Sequence, residues 1–202
     1  MTTRVLPLLL LLGLGAALPA AAQTRWLQTV EVIAPVDERR PTGVLLDSLV
    51  RVAERGRVTV RREPDGANMT FRALENQILN EGLDFTSANA VFLNHRLEAT
   101  QRGFTSEIKS FYFIYRPDGY EGLDVPILYV DGNDPAIEAL LRNGGMRLET
   151  NEAAMEPFSE QVTFHRLRDA SVVSVGGRVI RDEAQAQAER RRLLATVQQF
   201  IY

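Results

Sequence analysis

Hydrophobic positions follow three rhythms along this chain: one unbroken block, several alternating stretches, and several stripes that return every third or fourth residue. The block is Val5 to Leu18, interrupted only by Pro7, Gly13 and Gly15. Alternation marks strands, because successive side chains point to opposite faces of a pleated backbone. It predicts a strand over residues 26–34, where Leu27, Thr29, Glu31 and Ile33 interleave with Gln28, Val30, Val32 and Ala34. Residues 57–61, 83–93 (with a bend at 87–89), 146–150 and 160–168 read as further strands. Residues 108–116 and 125–130 are apolar on both sides, which predicts an antiparallel pair covered on both faces.

The helical stripes are equally distinct. Leu45, Leu46, Leu49, Val52 and Ala53 predict a helix over 44–55, ended by Gly56. Phe71, Leu74, Ile78 and Leu79 predict one over 70–80, stopped by Gly82. Asp134 followed by Pro135 is a cap with proline at the first helical position; Ile137, Leu140 and Leu141 face inward, and Gly144-Gly145 ends the helix. Asp182 caps the last helix, with Ala186, Leu193, Val197 and Phe200 or Ile201 inward and Arg190-Arg191-Arg192 pointing to solvent. Residues 35–43 read as a loop, Pro64-Asp65-Gly66 and Pro117-Asp118-Gly119 as turns, and Gly176-Gly177 as a hairpin turn between 172–175 and 178–180. The fold class is α+β: a mixed, largely antiparallel sheet packed by three to four helices, as one unit or two small subdomains. The division falls near 94–105, between a βαβαβ-like part (23–94) and an α+β part ending in a long helix (105–202).

The apolar block changes the picture of where the protein works. Arg4 precedes it, and Pro19-Ala20-Ala21-Ala22-Gln23 follows with small residues where a signal peptidase reads, so residues 1–22 read as a signal peptide cleaved between Ala22 and Gln23. At 14 positions the block is shorter than the roughly 20 residues a spanning helix needs. The expected location is the periplasm or the exterior of the cell, with no stable membrane insertion once the leader is removed. The chain has no cysteine, which leans toward a bacterial envelope and excludes a lipidated cysteine, thiolate metal sites and cysteine nucleophiles. Net charge is −3, and loss of Arg4 leaves 22 basic against 26 acidic groups. That balance argues against nucleic acid as a partner.

No stretch carries a complete catalytic constellation. Ser106-Glu107-Ile108-Lys109 has the spacing in which a lysine one helical turn away deprotonates a serine, but it runs into a strand pattern that sends the two side chains apart. Asp131-Gly132-Asn133-Asp134 begins like a calcium loop, yet the fifth position is Pro135 and the twelfth is Arg142. His95 and His165 are the two histidines; they form no His-x-x-x-His pair, and no nucleophile elbow accompanies them. No cofactor and no metal are expected. The remaining candidate is a small polar binding site at the end of a buried strand: Tyr129, Asp131, Asn133 and Asp134.

Residues 28–94 follow the order strand, helix (LLDSLVRVAERG), strand (RVTV), helix (FRALENQILNEGL) and strand (DFTSANAVFL). With Leu74, Ile78, Leu79, Gly82 and Leu83 at matching spacing, this part resembles the short N-terminal domain of secretins and TonB-dependent receptors. The resemblance implies a small periplasmic protein-interaction module without catalytic residues. The expected function is therefore an exported cell-envelope protein acting as a non-catalytic interaction or assembly module, with another envelope protein as partner. The alternative is a periplasmic small-molecule binder or weak hydrolase using the 129–134 strand end.

Overall fold

The computed structural model describes residues 24–101, 103–118, 123–148 and 151–201. The expected leader, Gly119 and residues 149–150 lie outside that set. The elements run β1 (Thr24–Pro35), α1 (Pro41–Glu54), α2 (Phe71–Asn80), β2 (Ala90–Thr100), β3 (Gly103–Tyr115), β4 (Val125–Asp131), α3 (Pro135–Asn143), β5 (Gly145–Leu148), β6 (Asn151–Pro157), α4 (Phe158–Gln161), β7 (Ser171–Val175), β8 (Arg178–Val179) and α5 (Glu183–Ile201). One antiparallel sheet has the order β4-β3-β2-β1-β7-β8, and β5 pairs with β6 as a separate hairpin. The fold is α+β.

Strand alternation assigns the two faces of the large sheet. Val30, Val32 and Ala34 of β1, Leu93 and Leu97 of β2, Phe111 and Phe113 of β3, and Leu128 and Val130 of β4 are buried in one cluster. Leu45 and Leu49 of α1, Leu74 and Ile78 of α2, Ile137 of α3, Phe158 of α4, and Leu193 and Val197 of α5 join the same cluster. Each such fully buried aliphatic contributes roughly 2 kcal/mol of transfer free energy. All five described helices therefore pack on one face. The opposite face, carrying Leu27, Glu31, Ile33, Phe92, Asn94, Tyr112 and Tyr129, bears no helix among the described residues.

Lengths differ along the sheet, and this leaves edges. β4 pairs with β3 only over 110–115, and β7 pairs with β1 only over 30–33. The N-terminal half of β1, the C-terminal half of β2 and the start of β3 thus project as a three-stranded extension. α5 lies against its inner face, where Trp26 stacks on Phe200 with centroids 6.0 Å apart.

Several elements depart from the sequence pattern. α1 begins at Pro41, inside the expected loop, because proline fits the first helical turn without sacrificing a bond. Residues 57–61 form no strand; Val60 and Arg61 make isolated bridges to Met69 and Tyr129. Residues 83–89 are diverted by Asp84, whose side chain accepts from Ser87 N–H (2.9 Å) and caps a single 3-10 turn, so β2 starts at Ala90 and runs through residues that lacked a clear rhythm. Residues 160–168 form no strand either. Val162, Thr163 and Phe164 are buried in succession, which no alternating strand permits, and Thr163 closes the turn through its carbonyl to Leu167 N–H. Leu79 is 54% exposed instead of inward-facing. β3 is covered by helices on one face, not two.

Candidate binding site

β4 brings Tyr129 and Asp131 to the helix-free face and then turns sharply. Asp131 Oδ1 accepts from the Asn133 backbone N–H (2.9 Å) and from Asn133 Nδ2 (2.7 Å). Gly132 N–H donates to the Lys109 carbonyl (2.8 Å), and a Cβ there would stand 2.3 Å from the Ile108 carbonyl oxygen. Asp134 Oδ1 accepts from Ala136 N–H (2.8 Å) and caps α3, with Pro135 behind it. Tyr129, Asp131, Asn133 and Asp134 meet round one cleft of about 230 Å³, together with Thr59, Arg61 and Asn68.

The opposite wall of the cleft comes from the segment bridged to β4. Arg61 N–H donates to the Tyr129 carbonyl (3.2 Å), and Tyr129 N–H donates back (2.8 Å). That pairing holds the Arg61 guanidinium 5.2 Å from the Tyr129 ring centroid, within cation–π range. Arg61 Nε also donates to Asn68 Oδ1 (2.9 Å). Lys109 reaches the rim, donating to Asn133 Oδ1 (3.1 Å) and pairing with Glu107 (2.6 Å). Both aspartates thus accept from backbone N–H groups of their own turn, so their first role is to shape the cleft.

The cleft lies at the end of two parallel rows on the helix-free face. Register places Ile33 opposite Phe92, Phe92 opposite Tyr112, and Tyr112 opposite Tyr129. The rings touch in sequence: Phe92 to Tyr112 at 5.8 Å and Tyr112 to Tyr129 at 6.5 Å. Two residues along each strand, Ser174, Glu31, Asn94, Ser110 and Asp131 line up across β7, β1, β2, β3 and β4. Burial raises the Glu31 carboxyl above its ordinary value. Asn94 Oδ1 and Arg96 Nε are buried without a hydrogen-bond partner.

Turn residues in the sequence single out the β4 turn but not the rows that lead to it. Glu31, Asn94, Phe92 and Tyr112 show only as the opposite phase of alternations whose core phase was plain. The two histidines do not join the site. His95 pairs with Val30 and Ile108 on the helix-covered face, opposite to Asp131, and is fully buried. His165 is exposed beyond α4, not on a strand. Among the described residues no three His, Asp or Glu side chains gather closely enough to hold a metal ion. No described helix is long and apolar enough to cross a membrane. No family model matches the chain, and no curated protein sequence matches it.

Proposed function

We propose that this is an exported cell-envelope protein that acts as a non-catalytic protein-interaction or assembly module. The observation that carries the reading is the pair of unpaired strand edges on the three-stranded extension. Beyond its last bond to β7, at Thr29, β1 continues to Thr24 with no further partner on that side among the described residues. β3 likewise runs from Gly103 to Ile108 before β4 begins. Peptide groups along such edges accept an added strand, and the partner's side chains supply selectivity. α5 backs the extension, so the edges are held straight for a partner. The signal-peptide pattern and the missing catalytic constellation agree with the reading.

Capture from envelope extract on immobilised protein tests it. A partner retained by the natural sequence and lost by Ser106→Pro, whose N–H faces away from β2, with helix content and melting temperature unchanged, is the expected result. Proline removes the edge N–H and cannot accommodate an added strand. Failure to retain any partner, or equal retention by Ser106→Pro and by an equivalent Leu27→Pro variant on the β1 edge, would reject it.

A further inference from the structure

An open groove lies where β4 stops. β4 ends at Asp131, and Gly132 N–H donates to the Lys109 carbonyl (2.8 Å), the last main-chain bond to that side of β3 among the described residues. Before that point the peptide groups of β3 alternate between facing β2 and facing away, as an antiparallel ladder requires. Those of Phe104 and Ser106 face away and have no main-chain partner among the described residues. Open N–H and C=O groups at strand spacing specify what completes them: the backbone of another extended segment.

The second wall of the groove is α3. Asp134 and Pro135 start this helix directly after β4, so it returns over the helix-covered face beside the vacated edge. Ile137 and Leu141 turn into the core, while Glu138 and Arg142, one position later in each turn, stay exposed. Between helix and edge is a cleft of about 260 Å³, with Ser106 and Ile108 on the strand side, Leu141 on the helix side and Ser159 of α4 also lining it. A cavity of roughly 150 Å³ already admits benzene, so this one has room for an aromatic side chain. A strand laid along the edge sends alternate side chains to the two faces of the sheet. One enters the cleft; its neighbours come out beside Thr105 and Glu107, which are exposed. Glu138 and Arg142 put one charge of each sign at the rim, so the segment needs no net charge.

We infer that the groove between the β3 edge and α3 binds an extended peptide segment, antiparallel to β3, with one aromatic or large aliphatic side chain seated in the cleft. The segment takes the line that β4 vacates. Antiparallel order continues the sheet and gives the slightly more stable ladder. Main-chain bonds to Phe104 and Ser106 set its register, and the cleft selects its side chain. The inference rests on the strand-edge reading and narrows it to one edge and one pattern of partner.

The probe is the acetylated and amidated heptapeptide Ser-Thr-Thr-Phe-Thr-Thr-Ser, titrated into isotopically labelled protein and followed by amide shifts. Saturable shifts at 104–108, 132 and 138–142 are expected. Replacing the central Phe by Ser should weaken binding roughly ten-fold or more, as loss of one buried aromatic side chain implies. Glu138→Trp, at an exposed position, fills the cleft from its rim and should weaken the Phe peptide to the same degree. Unchanged shifts elsewhere verify that this variant is folded; Ser159→Trp replaces it if not. Equal binding of the Phe and Ser peptides overturns the inference, as does the absence of shifts at millimolar concentration. Shifts confined to 24–29 overturn it and leave the strand-edge reading intact, because the peptide has then chosen the β1 edge. Shifts at neither edge, together with no partner captured from envelope extract, reject both. A mass that doubles with concentration, with shifts at 104–108 in the absence of peptide, assigns the groove to a second copy of the chain and also overturns it.

Discussion

His95 stands edge-on to Phe164, with ring centroids 6.4 Å apart and planes at 66°, and neither imidazole nitrogen has a hydrogen-bond partner. A histidine in that setting behaves as an aromatic filler. In the folded β2 every second side chain from Leu93 to Leu97 turns inward, and His95 is the one between them. Its chemistry follows from that burial.

Burial, with a smaller contribution from His165, pushes the His95 pKa down to about 3. The unfolded chain takes up a proton near the ordinary histidine value, while the native state does not. Stability is therefore fully present above about pH 6.5 and falls as pH drops from there toward 3, by up to about 1.4 kcal/mol per pH unit from this group. Urea unfolding at pH 7 and pH 4.5 measures the loss. His95→Leu, of similar apolar volume, should lose less stability over that interval than the natural protein. An identical pH slope in both would contradict the assignment.

Arg190 does not point to solvent as its place in an arginine triplet suggests. Its guanidinium donates to the Ala170 carbonyl (2.6 Å) and the Leu167 carbonyl, and lies 5.7 Å from the Phe164 ring centroid. It fastens α5 to the irregular segment after α4. Arg190→Met keeps the stem and removes the donors, and should cost about 1–2 kcal/mol: the Ala170 carbonyl loses its side-chain donor, while the Leu167 carbonyl keeps only the Ala170 N–H. Arg191→Met, on the exposed side of α5, should cost about 0.5 kcal/mol or less. Chemical denaturation of the two variants side by side checks the contrast.

Gly132 occupies a place where no side chain fits, since its Cβ would sit 2.3 Å from the Ile108 carbonyl and 3.0 Å from that of Lys109. The obstruction is backbone, so it cannot swing aside. Gly132→Ala should destabilise by about 2 kcal/mol or more and shift the amide resonances of 108–110 and 129–134. A wild-type spectrum from this variant would refute the close approach.

Asp134 serves α3 as its N-cap. Asp134→Ala should lower stability by about 1 kcal/mol, and Asp134→Asn should recover most of it, because an amide oxygen also accepts from Ala136 N–H. Thermal melts of the pair distinguish a capping role from one that requires the charge.

What could be read from the sequence divides along physical lines. Strand β1, the α2 and α3 helices and the Gly176-Gly177 hairpin announce themselves through local rules. Both glycines of that hairpin take positive φ (57° and 80°), as its tight turn requires. The 160–168 segment forms no strand despite its alternation, because tertiary burial of Val162, Thr163 and Phe164 overrides their strand propensity. The helix-free face was hidden for another reason. An aromatic strand such as 111–115 looks doubly buried whether helices cover its second face or its own rings cover one another. Only register, which sets Phe92, Tyr112 and Tyr129 side by side, tells these apart. Likewise the β4 turn was legible from Asp131 to Asp134, but Arg61 joins it from nearly seventy positions upstream through an isolated bridge that leaves no periodic trace.

The stack of Trp26 on Phe200 has a practical corollary. Trp26 is the chain's sole indole, so intrinsic emission is a label-free gauge of whether α5 is seated. A red shift at constant helix content would register undocking of that helix from the three-stranded extension. A partner strand that tightens or loosens this corner could then be followed optically, without a dye or a tag.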